Sequence, residues 1–152
     1  PIPSHPIPSH PIPSHPIPSI PCCYSALLFI TNVIVAYQYE YYFYSGLFTT
    51  LIITSLFHHS TKTVTTYWID KLFVFAIVGY GGYVFFDKIA NGVTNYLYSA
   101  IIVGTFLGTI VLYYYGRATN SFCFAEDCDE SDRWHQLMHL LTSIGHNFIV
   151  LL

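Results

Sequence analysis

Five apolar stretches, each close to twenty residues and none with a charged residue at its centre, follow one another from Cys22 onward. They cover roughly 22–38, 41–59, 69–86, 95–115 and 134–152. An α-helix rising about 1.5 Å per residue needs roughly 20 residues to cross the hydrocarbon core of a bilayer. No proline interrupts these stretches, because all nine prolines lie within the first 21 residues. The pattern predicts an all-α, polytopic transmembrane helical bundle of about five spans over 22–152. The third span is the weakest. Its charge-free run, Leu72 to Phe86, is short unless Asp70 and Lys71 sit at the interface. Tyr and Trp gather at span ends (Tyr41, Tyr67, Trp68, Tyr115, Trp134), as an interfacial belt requires.

Composition closes off other classes. Charged residues make up 9% and aromatic residues 18% of the chain, against about 25% charged in soluble proteins. A water-soluble globule of this size could not hide so much apolar surface. A net charge of −3 with five Lys+Arg leaves no basic patch, which excludes nucleic acid as a partner. The expected setting is integral to a membrane, with an endomembrane among the options.

Residues 1–21 differ from the rest. They repeat PIPSH, and proline at every second or third position removes backbone donors and fixes φ. An extended, disordered tail is expected over 1–21. His5, His10 and His15 recur in it, which suits either weak metal capture or no role. The sequence does not begin with Met, which leaves open whether it includes the native N-terminus. The tail has no basic stretch of the kind that opens a secretory signal.

Five crossings fix a sidedness. The second span ends on the side where the first begins, the third starts there, the fourth ends there and the fifth starts there. Ser55–His59, Asp70 and Asp132–His139 therefore share one membrane face. Ionisable groups in spans are costly and tend to carry function. His135 and His139 stand at i, i+4, so both imidazoles share a helix face and can grip one ion. Ser55 lies one turn before His59, and Asp70 follows eleven residues after it. Three imidazoles with an open fourth position suit a catalytic zinc. Asp70 suits a proton acceptor and Ser55 a group that orients water.

SxxxH closing a second span, Asp eleven residues on and HxxxH opening the last span resemble the membrane-integral zinc hydrolase superfamily. That superfamily includes alkaline ceramidases, progestin and adipoQ receptors, and GPI-remodelling membrane proteins. The His-to-Asp spacing is closest to the ceramidases. The resemblance implies that His59, His135 and His139 hold Zn²⁺ and that Ser55 and Asp70 hold and activate water. Asn32 also resembles a polar position of the ceramidases' first helix. Members usually have seven spans, and the acidic calcium-binding segment that ceramidases carry before the first helix has no counterpart in the PIPSH tail.

The implied activity is zinc-dependent hydrolysis of an amide or ester bond in a membrane lipid. Two alternatives stay open: a non-catalytic receptor-like or structural member whose zinc is closed by a fourth ligand such as His58 or His146, and a haem-binding membrane protein. His58, about 100° from His59 on the same helix, is expected to face headgroups or a neighbour, and His146 to be a packed core histidine. Gly104 and Gly108 form a GxxxG pair and Gly79, Gly81 and Gly82 crowd the third span, which suggests close helix packing. Glu126, Asp127, Asp129, Glu130 and Asp132 read as a solvated acidic loop, with calcium binding as the sharper alternative. Cys22, Cys23, Cys123 and Cys128 share one side and suit either a bridge or free thiols. Lys62, Lys71, Arg117 and Arg133 on that side, against Lys88 on the other, place it in the cytoplasm by the positive-inside rule; a cysteine bridge would demand the reverse.

Overall fold

The computed structural model describes residues 19–152. Most of the expected tail, with His5, His10 and His15, lies outside the described residues. Its last residues are not tail. Ser19 caps a helix that begins at Ile20, its Oγ accepting from the Cys22 amide at 3.2 Å. Pro21 falls in the first turn, where its missing N–H would have had no helical partner anyway.

Every regular element among the described residues is helical. Helix α1 (Ile20–Ala26), a 3-10 turn (Leu27–Phe29) and α2 (Ile30–Gln38) form a first rod; α3 (Tyr42–Thr61) and α4 (Val64–Ala90) follow. Then α5 (Tyr96–Ile110) passes through a π turn (Val111–Tyr115) into α6 (Gly116–Thr119), and a 3-10 turn (Phe122–Phe124) leads to α7 (Cys128–Leu151).

Two boundaries differ from expectation, and capping explains both. The third span is the longest helix, 27 residues or about 40 Å. Thr63 starts it early by accepting from the Thr66 amide, so Asp70 and Lys71 lie within the helix and are buried. The acidic run at 129–132 is helix rather than loop. Asp127 caps α7 by accepting from the Glu130 amide at 2.8 Å, and Asp129 and Glu130 fill the first turn, where the helix dipole favours negative charge.

Among the described residues, three stretches are long and apolar enough to cross a membrane: Ile20–Gln38, Val64–Ala90 and Tyr96–Phe124. That is consistent with an integral membrane protein. The other two rods are more polar. Helix α3 carries several Ser and Thr besides His58 and His59, and α7 opens on acids and carries three histidines.

Polarity runs opposite to that of a soluble domain. Asn32, Ser55, His59, Asp70, Lys71 and His139 are buried, while Phe43, Phe57, Leu72 and Leu97 point outward. Such an apolar exterior has no place in water, and a polar interior is how membrane helices seat costly groups.

Helix α7 is the hub. It packs along α5 on one side and against α1 and α2 on another, while α3 packs on α2 and α4. No comparable interface joins α4 to α5. A cleft of about 480 Å³ opens there, its walls drawn mainly from α4, α5 and α7.

The close helix approaches are not at the GxxxG pair. A Cβ on Gly104 would meet nothing within 4 Å, and one on Gly108 only Leu141 Cδ1 at 3.4 Å. The tight points are Gly81 of the third span, where close packing is expected and a Cβ would collide with Tyr44 and His146, and Gly145, whose Cβ would collide with Thr105 Oγ1.

Candidate metal centre

His59, His135 and His139 meet. His59 comes from the last turns of α3, and His135 and His139 lie one turn apart on α7. Their ligating atoms all lie within 4.8 Å of one another. Ring centroids are 4.9 Å apart for His59–His135, 5.5 Å for His59–His139 and 4.8 Å for His135–His139. The cluster can hold a metal ion, and it has no fourth member among the described residues.

Hydrogen bonds orient the cluster from α1. Ser25 Oγ lies 2.8 Å from His139 Nδ1 and 3.0 Å from the Cys22 carbonyl. The single hydroxyl proton goes to the carbonyl, which can only accept. Nδ1–H of His139 then donates to Ser25, and the Nε2 lone pair is free to ligate. A further brace joins the chain ends of the site. The Ser19 amide donates to the His59 carbonyl at 3.0 Å, and Ser19 Oγ donates to Asp132 Oδ2 at 2.6 Å. Neither Ser25 nor Ser19 stood out in the sequence. Each is one serine among apolar or repetitive neighbours, and its partner lies more than a hundred residues away in α7 or forty in α3.

Ser55 and Asp70 both line the cleft with His135 and His139. Asp70 is 3% exposed. Its Oδ2 faces Lys71 Nζ at 3.4 Å, and its Oδ1 has no hydrogen-bond partner among the described residues. An orphaned, buried carboxylate oxygen at the wall of the cleft that His135 and His139 also line is costly unless something supplies a proton or positive charge. That, with an all-imidazole donor set, fits a divalent metal and its water. Lys71 is held over the Tyr67 and Tyr113 rings at 5.4 and 5.3 Å, whose hydroxyls share a 3.0 Å hydrogen bond. Tyr113 sits on the π turn, a helix irregularity often found at functional sites.

His58 does not face headgroups. It is buried, its ring packs on His59 and Tyr67, and its Nδ1 has no partner among the described residues. Asn32 stands off the centre and ties α2 to α7. Its Nδ2 donates to the Ser143 carbonyl at 2.8 Å and to Asn147 Oδ1 at 2.9 Å, and its Oδ1 accepts from Ser143 Oγ at 2.7 Å. His146 lines the cleft and hydrogen-bonds Tyr44. Of the acidic group, Asp127 is engaged as a cap, and Glu130 accepts from Trp134 Nε1 at 3.3 Å. All four cysteines are free thiols.

The cleft is chiefly apolar. Phe29, Val74, Phe85, Ile102, Phe106 and Met138 contribute to its wall. Comparison of the chain with family models, curated proteins and solved structures returns no match.

Proposed function

We propose that the chain is a zinc-dependent intramembrane hydrolase that cleaves an amide or ester bond of a membrane lipid, similar in its residues to the alkaline ceramidases. Its five rods are the five crossings of the bundle. One observation carries this reading: three imidazoles from α3 and α7 cluster, and two of them line an apolar cleft whose wall also holds a buried, half-unpartnered carboxylate.

His59, His135 and His139 would hold the ion. When bound, Zn²⁺ supplies Lewis acidity and makes water acidic enough to act as a nucleophile at neutral pH. Asp70 accepts the proton of the attacking water at Oδ1 and returns it to the leaving amine or alcohol. Lys71 engages Oδ2 and leaves Oδ1 available. Ser55, one turn before His59, orients the water or the scissile carbonyl. The cleft takes the acyl chain, which enters sideways from the bilayer between α4 and α5.

The structural-zinc alternative needs a fourth protein ligand. His58 and His146 are the nearest in kind, yet neither belongs to the cluster, and this favours an open position. A haem needs a slot between opposed imidazoles, and the three rings here are packed against one another.

The test is metal analysis of the purified chain beside His59→Ala and His135→Ala, with fatty-acid release from ceramides and phospholipids measured in parallel. Zinc present in the parent and lost from both variants, together with release by the parent alone, is expected. Unchanged zinc in both variants overturns the assignment.

A further inference from the structure

His146 lies seven residues beyond His139 on α7, two helical turns on, so it shares that face about 10 Å deeper in the cleft. The hydrolytic reading makes no use of it, yet three helices converge on its ring. Tyr44 of α3 is fully buried and its hydroxyl hydrogen-bonds His146 Nδ1. The Tyr44 and Phe48 rings pack edge-on against the imidazole at 5.7 and 5.5 Å. Gly81 of α4 vacates the space this requires, because a Cβ there would stand 2.8 Å from His146 Nδ1 and 2.9 Å from Cε1.

The proton arrangement follows from what each group can accept. The Tyr44 hydroxyl has no hydrogen-bond partner among the described residues except His146 Nδ1. A buried phenol O–H requires an acceptor, so Nδ1 accepts and the neutral ring carries its proton on Nε2. That N–H has no partner among the described residues, while the ring is 9% exposed and lines an apolar cavity. It is a fixed donor, set two turns below the imidazole cluster, with nothing of the chain to bond.

We infer that His146 is a specificity determinant that reads an oxygen acceptor carried part-way along the substrate's acyl chain, which makes a hydroxy- or oxo-acyl lipid the preferred class. The inference rests on the lipid-hydrolase reading above. A plain hydrocarbon chain filling the cleft would shut this N–H away unpaired, whereas a chain oxygen at that depth satisfies it. Discrimination of this kind comes from the penalty on the unpaired group as much as from the bond itself. Thr142, on the same face between His139 and His146, also lines the path.

The experiment is competition binding to the purified full chain in nanodiscs, displacing a fluorescent fatty acid with stearic acid or its mid-chain hydroxylated counterparts. One hydroxyl position is expected to bind roughly three- to tenfold tighter than stearic acid, the worth of one net hydrogen bond. His146→Phe keeps a ring against Tyr44 and Phe48 but removes the N–H, and it is expected to lose the preference, with the hydroxylated acids binding no tighter than stearic acid. His146→Gln keeps a side-chain N–H and is expected to retain part of it. Equal affinity across the series in the parent overturns the inference, as does a preference that survives in His146→Phe. If His146→Phe does not fold, the parent series and His146→Gln decide. Binding without preference defeats this inference alone; failure of every acid to bind defeats the lipid reading as well.

Discussion

Helix α7 turns two unlike faces to the rest of the chain. Toward α1 and α2 it is sealed with side-chain hydrogen bonds, from Ser25–His139 through Asn32–Ser143 to Thr31–Asn147 at 3.0 Å. Toward α4 and α5 it lines a cavity with Met138, Thr142, Gly145 and Ile149. The same helix thus serves as a fixed wall and as the floor of an open cleft. In lipid no hydrophobic force draws helices together, so a face closes where small residues and hydrogen bonds hold it. Between α4 and α5 no such interface forms, and a gap persists. The sealed face sets how the imidazoles point, and the open face leaves room for a ligand to reach them.

Asp70 belongs to the open face, and removing its charge is the sharpest way to separate chemistry from binding. Asp70→Asn keeps the shape and is expected to retain zinc while lowering lipid hydrolysis by about 10²–10⁴-fold. Turnover at a matched metal load is the measurement. Full activity in the variant would reduce Asp70 to a packing partner of Lys71.

Ser25 belongs to the sealed face, and its effect should be smaller and of another kind. Ser25→Ala leaves His139 Nδ1–H without its acceptor and frees the ring to turn. Zinc affinity is expected to fall by about 10–100-fold, as for other groups that orient a metal-binding histidine. A chelator competition reads this directly. With zinc saturating, activity should return. A loss that excess zinc cannot restore would mean that Ser25 acts on the reaction itself.

The helices were legible in the sequence because hydropathy is a local property. The i, i+4 spacing put His135 and His139 on one face, and the alternating direction of successive helices brings His59 to the same end of the bundle. The Asp127–Glu130 pair was a readable start signal for α7, since an acid three residues before a glutamate marks a helix N-terminus. The density of charge over 126–132 masks that pattern and suggests a loop instead. The rest was not legible. Ser25 and Tyr44 are ordinary members of apolar runs until tertiary packing gives them a histidine. The cleft exists because two particular helices fail to meet, and nothing in either sequence alone encodes that.

Glycine gives the finest test of where the bundle is tight. The sequence points to the Gly104–Gly108 pair and to Gly79, Gly81 and Gly82, whereas the structure is tight at Gly81 and at Gly145. Gly145→Ala would drive its methyl into Thr105 Oγ1, which already donates to the Ile101 and Ile102 carbonyls at 2.9 and 3.0 Å. Either that side chain abandons its bonds or α5 backs away from α7, at a cost of about 1–3 kcal/mol. At Gly104 the methyl meets open space, and replacing glycine by alanine in a helix is favourable by up to about 1 kcal/mol. Thermal unfolding of the two variants in nanodiscs should therefore move in opposite directions. A loss at Gly104 equal to that at Gly145 would show that the outer face of α5 is itself packed in the membrane. The cleft beside it would then be narrower to an entering lipid than the isolated bundle makes it.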